Sequence, residues 1–277
     1  MCSLSQRTCT YCGLDFDSHL GRRSNYLLLK LSVIIPSHNE AGSLPETVEK
    51  VCQVLTREGV EYEILVINDH STDETSEVSI SLQSTHEQVQ GLNNPTTRGY
   101  GMAVRHGLSK YTGDCVAIMM ADGSDAPDDL IAFYQTMLSQ NVDCVFGSRF
   151  EKGGSVVDYP RIKYVLNRFA NHLVRLVFGL TYSDCTNAFK LYSRNAIDGI
   201  QPLLSPHFNL TLEMPLKAIV RGYTFTVLPN SWTNRKHGQS KLKIKEMGSR
   251  YFFIFLYCLI EKYFSKGDYK KSTIRSR

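Results

Sequence analysis

The feature that most constrains this fold is a repeated change of character along the first half of the chain. Short apolar runs end in polar or acidic residues, then give way to helical patterns. "LKLSVIIP" closes at Pro36, and Leu44, Val48, Val51, Cys52 and Leu55 follow at helical spacing until Gly59. "YEILVIND" reads as the next strand, with a polar helix from Asp73, and "VQGLNN" as a weaker one. A helix from about Gly99 to Tyr111, the run "CVAIMMA", a helix from Asp129 and "DCVFGSRF" continue the series. Such alternation predicts a parallel sheet wrapped by helices, whose ligands bind at the carboxyl ends of the strands. Asn39, Glu40, Asp69, Asp122 and Arg149 all fall just past predicted strand ends, so one edge should gather them.

The stretch from Cys115 to Leu130 sharpens this expectation, because a strand buried on both faces runs straight into Asp122, Asp125, Asp128 and Asp129. A turn capping the next helix accounts for Asp128 and Asp129. It does not account for Asp122, which stands where a crevice should open. The second half is less regular. "RIKYVLNRFANHLVRLVFG" reads as a basic amphipathic helix, "NLTLEMPLKAIVRG" as another helix, and "TFTVLPNSW" as a returning strand. With no internal repeat and no low-complexity linker, the reading is one domain with appendages.

Charge is unevenly placed. Residues 235–277 hold twelve Lys or Arg against Glu246, Glu261 and Asp268, a local +9 on a chain of net +4, which leaves −5 on the rest. A basic end on a slightly acidic body suits an anionic surface or ligand there. Of the eight cysteines, Cys115 and Cys144 lie in strand-like runs, so reduced thiols in a cytosolic setting are expected rather than a disulfide framework. Cys9 and Cys12, with Cys2 and His19 nearby, lack the spaced second pair of a zinc knuckle and read as part of a polar tail. Met1 to Asn25 shows no signal-peptide pattern. In "RGYGMAVRHG", Gly99 and Gly101 are followed by Val104 instead of a third glycine, and the run follows the third strand, unlike a dinucleotide fingerprint. Neither a phosphate-loop lysine nor a hydrolytic nucleophile motif is present. What remains is a carboxylate site for a metal-bound diphosphate, since Mg²⁺ or Mn²⁺ often takes one or two carboxylates plus substrate phosphates.

Seven motifs in order carry a resemblance: "SVIIPSHNE", "LVINDHSTDET", "ADGSDAPDDL", "GSRF", "NRFAN", "DCTNAFKLYSR" and "NRKHGQSK". They resemble the family-2 glycosyltransferases of the GT-A fold, and within them the dolichol-phosphate mannosyltransferase branch, from about Leu31 to Phe264. The resemblance implies an α/β GT-A fold: a Rossmann-like, mostly parallel sheet flanked by helices, followed by a C-terminal basic and apolar amphipathic helix. It implies a polar tail over residues 1–30, a catalytic domain over 31–241, and a membrane-interface or partner helix with a basic tail over 242–277. The implied reaction moves a sugar, mannose from GDP-mannose first, onto a polyprenyl phosphate with inversion.

By position, Pro36, Asn39, Glu40 and Asp69 would hold the nucleotide base and ribose, and Arg235, Ser240 and Lys241 would close over the diphosphate. Arg149, Arg161, Lys163, Asn167, Arg168 and Lys190 would take the acceptor phosphate, with Arg149, Lys163, Arg235 and Asp122 serving the transfer itself. Met120, Asp122 and Ser124 stand where the family carries Asp-x-Asp-x-Gln, so the implied ligands of Mg²⁺ or Mn²⁺ are Asp122 and, swinging in, Asp125. Alternatives are a polysaccharide or small-molecule acceptor, or a non-catalytic nucleotide-sugar binder.

The C-terminal run "YFFIFLYCLI" fits a membrane acceptor. As a helix it is about 15 Å long, half of the roughly 30 Å of hydrocarbon in a bilayer, so it does not span. Lys241, Lys243, Lys245 and Arg250 before it, and Lys262 and Lys266 after it, make it an interfacial anchor at an anionic leaflet. The expected partners are a nucleotide-sugar, a polyprenyl phosphate, the membrane surface and a small anchoring subunit, with no nucleic acid. The expected location is peripheral, on the cytoplasmic face of a membrane.

Overall fold

The computed structural model describes residues 29–234 and 244–271. β1 (Leu31–Ser37) and β2 (Tyr62–Asn68) pair in parallel from Leu31–Tyr62 to Ser37–Asn68, so the two strands stop level. β3 (Val89–Asn93) flanks β2, and β4 (Cys115–Ile118) flanks β1, both in parallel. β5 (Cys144–Ser148) and β8 (Phe225–Pro229) pair in parallel at the far side. Between β4 and β5, β7 (Lys190–Ser193) runs antiparallel to both, giving the order β3-β2-β1-β4-β7-β5-β8. The run-and-helix pattern predicted parallel strands only. A four-residue strand is too short to show a period of two, and this one follows an irregular turn. β6 (Ser155–Val157) and β9 (Ser231–Thr233) form a separate two-stranded ribbon.

Both faces of the large sheet are covered, which is why its strands read as unbroken apolar runs. Leu31, Val33 and Ile35 pack with Leu44, Val48, Val51 and Leu55 of α1 (Leu44–Arg57) and with Leu130 and Phe133 of α4 (Pro127–Gln140). Ile34 points to the other layer. That layer is built from α3 (Tyr100–Leu108), the end of α5 (Arg161–Phe178), α6 (Arg194–Gly199), α7 (Leu210–Val220) and α8 (Ile244–Phe264). Each such buried Leu, Ile or Val contributes about 1.5–3 kcal/mol. α2 (Thr75–Thr85) covers the β2–β3 end. α4 begins with Pro127, Asp128 and Asp129, where no N–H is needed and the helix dipole favours negative charge.

The glycines of "RGYG" have a packing reason. A Cβ on Gly99 would lie 2.3 Å from the Pro206 carbonyl oxygen, and one on Gly101 2.3 Å from that of Ser205. The start of α3 therefore rests directly on the loop before α7.

Two helices leave apolar surface uncovered. α5 turns Asn167, Asn171, Val174 and Phe178 inward, while Ile162, Val165, Phe169, Leu173 and Leu176 form an exposed stripe along the other side. α8 buries Ile254, Phe255 and Cys258 on the domain and pairs Glu261 with Arg221, yet exposes Phe252, Phe253, Ile260, Tyr263 and Phe264. The two helices meet where Phe178 packs edge-on against Phe255 and the Lys262 ammonium donates to the Phe178 carbonyl. Among the described residues, no helix is long and apolar enough to cross a membrane.

Candidate active site

The ends of β1, β2, β4 and β5 lie along one edge, as their parallel course requires. After β1, Asn39 adopts a left-handed backbone (φ 54°), which asparagine tolerates. Its side-chain oxygen accepts from the Thr72 N–H at 2.7 Å, locking this turn to the one after β2. Glu40 accepts from the Ser43 hydroxyl at 2.9 Å and so sits at the start of α1. Pro36 is buried within β1. Asp69 is buried, and both its oxygens accept from the Gly99 N–H, with Asn94 donating to one of them at 2.8 Å. It thus braces the start of α3 at the edge of the crevice.

After β4 the chain turns tightly through Gly123 (φ 69°). Asp122 is half-buried, and its Oδ1 accepts from the Ser124 N–H at 3.1 Å. Asp125 is buried, and its Oδ2 accepts from the Met120 N–H at 3.0 Å. Burial, ahead of the nearby Asp122 charge, pushes the Asp125 carboxyl up to about 7. Asp125 therefore shapes the turn from within, and the expected swing toward a metal would forfeit that bond. The Ser124 hydroxyl is buried and has no hydrogen-bond partner among the described residues. Among the described residues, no three His, Cys, Asp or Glu side chains cluster to hold a metal. A hard divalent cation needs only one or two protein oxygens beside substrate phosphates, and Asp122 with the orphaned Ser124 hydroxyl fits that donor set.

Past β5, Arg149 is almost fully buried and holds Asp184 through two parallel bonds, Nε to Oδ2 at 2.8 Å and Nη2 to Oδ1 at 2.7 Å. The facing carboxylate holds its guanidinium charged, above the usual arginine range, against the opposing effect of burial. Its Cζ lies 5.4 Å from the Phe150 ring centre and 5.6 Å from that of Tyr159. Arg168 of α5 stacks on Phe150 at 4.4 Å and donates to the Ser183 carbonyl. Asn167 donates to the Thr186 hydroxyl at 2.8 Å. Arg161 is exposed at the start of α5, and Lys163 is half-buried on the same turn.

Lys190 departs from its expected place on the acceptor phosphate. Its ammonium is buried among the carbonyls of Cys185, Asn187 and Thr211, and burial lowers it to about 7. It ties β7 to α7. Arg235, Ser240 and Lys241 lie outside the described residues.

An aromatic wall joins the two halves of the site, and the sequence reading did not assign it. Tyr159 packs on Trp232 at 5.0 Å and on Tyr164 at 6.2 Å, and Tyr164 meets Phe150 edge-on. Trp232 in turn forms a backbone bridge with Asp125. The carboxylate turn and the arginine cluster are therefore joined through Trp232 and Tyr159. Asp184 was missed as well. The signals were present: the single Trp of the chain beside "NRKHGQSK", and the acid opening "DCTNAFK".

Comparison with known proteins places this geometry. Residues 32–200, more than half of the chain, match glycosyl transferase family 2. The chain belongs to that family. It is 28% identical over 221 residues to a dolichol-phosphate mannosyltransferase from Pyrococcus furiosus, covering 78% of this chain and 60% of that enzyme. It is 29% identical over 216 residues to a polyprenol monophosphomannose synthase from Mycolicibacterium smegmatis, covering 76% of this chain and 80% of that protein. Among solved structures, glucosyl-3-phosphoglycerate synthase from Mycobacterium tuberculosis superimposes with a TM-score of 0.65 at 16% identity, over 83% of this chain and 78% of that one. That structure contains Mn²⁺, UDP and phosphoglyceric acid. This family-2 chain thus has the GT-A arrangement, and Asp122 and Arg149 follow strands that end at the same carboxyl edge of the sheet.

Proposed function

We propose that this chain transfers a hexosyl group, mannose from GDP-mannose first, to a polyprenyl phosphate with inversion at the anomeric carbon. The observation that carries this reading is the pair of arginines, Arg149 and Arg168, whose guanidinium groups both lie over the Phe150 ring. A planar, cationic guanidinium suits a phosphate better than a neutral sugar hydroxyl. The named relatives support the same acceptor chemistry.

In this reading Pro36, Asn39, Glu40 and Asp69 line the nucleotide side, and Arg149, Arg161, Lys163, Asn167 and Arg168 surround the acceptor phosphate. A phosphate oxygen is already ionised near neutral pH, so it attacks the anomeric carbon without a general base, whereas an alcohol would need one. The bond to the nucleotide diphosphate breaks as the new one forms. Arg235 and Lys241 neutralise the departing diphosphate, with Ser240 closing over it. Asp122, with Ser124 beside it, would hold Mg²⁺ or Mn²⁺, which when bound offsets charge on that leaving group. The chain's own work is alignment and electrostatic stabilisation.

The exposed stripes of α5 and α8 support a membrane surface as partner, because a lipid phosphate is met at a bilayer. In this reading attachment is peripheral, with the cytoplasmic leaflet as the proposed face, and a small anchoring subunit would use the same stripes. The test is a panel of GDP- and UDP-sugars with dolichyl and undecaprenyl phosphate. Mannosyl transfer from GDP-mannose to either lipid supports the reading. Transfer only to a free hydroxyl, or donor binding by calorimetry with no turnover, would sink it.

A further inference from the structure

The cations and amide assigned to the acceptor phosphate sit on separate elements: Arg149 follows β5, and Asn167 and Arg168 lie on α5. Both elements are bonded to one short turn, residues 183–187, that precedes β7. The Asp184 carboxylate takes Arg149, the Ser183 carbonyl takes Arg168, and the Thr186 hydroxyl takes Asn167. The turn is fixed from below. Asn187 donates to the Gly147 carbonyl and to Asn230, and buried Lys190 donates to the Cys185 and Asn187 carbonyls. Ser183 adds a bond to Glu151 at 2.9 Å.

Asp184 is fully buried, so it does not touch substrate. It accepts three bonds from Arg149: Nε, Nη2 and the backbone N–H at 3.0 Å. That leaves Nη1 as the guanidinium nitrogen with no acceptor among the described residues. A free arginine samples many rotamers, and fixing it before the acceptor arrives removes that cost from binding. For stability alone, a buried ion pair is commonly matched by apolar side chains of similar volume. A fork geometry at the crevice serves orientation instead.

We propose that Asp184 is a positioning residue: through the 183–187 turn it holds Arg149, beside Arg168, in the orientation that receives the acceptor phosphate. The proposal rests on the polyprenyl-phosphate reading above and extends it to a residue outside the crevice.

The test compares Asp184→Asn, Arg149→Ala, Arg149→Lys and the Asp184→Asn/Arg149→Ala double variant of the full chain. Acceptor KM, donor KM, kcat and the thermal midpoint are measured with GDP-mannose and a long-chain polyprenyl phosphate. Asp184→Asn keeps the volume but replaces one acceptor oxygen by an NH2 donor, so it cannot hold both arms of the Arg149 fork. It should raise acceptor KM on the order of ten- to a hundredfold with donor KM unchanged. The double variant should be no worse than Arg149→Ala, because Asp184 acts through Arg149. Arg149→Lys keeps the charge without the fork and should lose nearly as much as Arg149→Ala. This keeps the test open even if Asp184→Asn does not fold. Wild-type acceptor KM in Arg149→Lys or in folded Asp184→Asn, beside a raised one in Arg149→Ala, would overturn the proposal and leave the acceptor reading intact. So would additive losses in the double variant. An unchanged acceptor KM in Arg149→Ala would overturn both.

Discussion

Replacing Phe169 and Leu176 of α5 by serine should release the protein from membranes while leaving its fold intact. Phe169 is 69% exposed and Leu176 is 72% exposed, so neither is held by the protein itself. Fully burying a large apolar side chain contributes about 1.5–3 kcal/mol, so the uncovered two-thirds of each is worth about 1–2 kcal/mol to a bilayer. Together the two substitutions remove about 2–4 kcal/mol, on the order of a 30- to 700-fold loss in partitioning. The assay is flotation with vesicles containing anionic lipid, paired with thermal melting. Activity on long-chain polyprenyl phosphate should fall in parallel, and activity on a short, soluble analogue should not. A wild-type flotation profile from a normally melting variant would refute the reasoning, because it would leave the α5 stripe without a membrane to cover it. Loss on both substrates together would show that the stripe braces the site.

Asp122→Asn should cut transfer at least tenfold, because it removes a principal charge stabiliser at the leaving diphosphate, while the melting midpoint stays put. Retained turnover would remove Asp122 from the site. Gly101→Ala would press a methyl group against the Ser205 carbonyl at 2.3 Å, and overpacking of that kind costs about 1–3 kcal/mol; an unchanged denaturation midpoint would contradict the packing account. Lys190 is lowered by burial to about 7 from 10.5, so between those values the unfolded chain binds a proton that the folded chain has released, and this contribution to stability rises with pH. Lys190→Met should therefore flatten the rise in unfolding free energy between about pH 7.5 and 9 by up to about 1.4 kcal/mol per pH unit. Parallel pH profiles for the two proteins would show that the lysine does not titrate there.

The first half of the molecule was legible because its signals are local. Asn39, Asp69, Asp122 and Arg149 follow apolar runs buried on both faces, and parallel strands leave no choice about which edge their ends share. The inward face of α5 was not legible. Its sequence has a clear apolar stripe, and periodicity alone directs such a stripe to the core. Here Asn167 and Asn171 face inward instead, because the turn before β7 offers them the Thr186 hydroxyl. Lys190 misled for a related reason. Its position in the resembling motif assigned it to the acceptor phosphate, and only the fold reveals three carbonyls closing around it.

The placement of Asp184 follows from the one strand that breaks the parallel pattern. Because β7 runs against β4 and β5, its first residue, Lys190, lies opposite Ile118 and Phe146, toward their carboxyl ends. The turn that precedes an antiparallel strand therefore opens onto the binding edge. The turn before a parallel strand in the same slot would open onto the opposite edge. Inserting β7 in reverse between β4, which leads to Asp122, and β5, which leads to Arg149, delivers an acidic turn beside the arginine. With this course, Asp184 reaches Arg149 past the β5 end, and its neighbours Ser183 and Thr186 reach α5. The reversed strand thus brings the turn before β7 to the same sheet edge as the turns that follow β4 and β5.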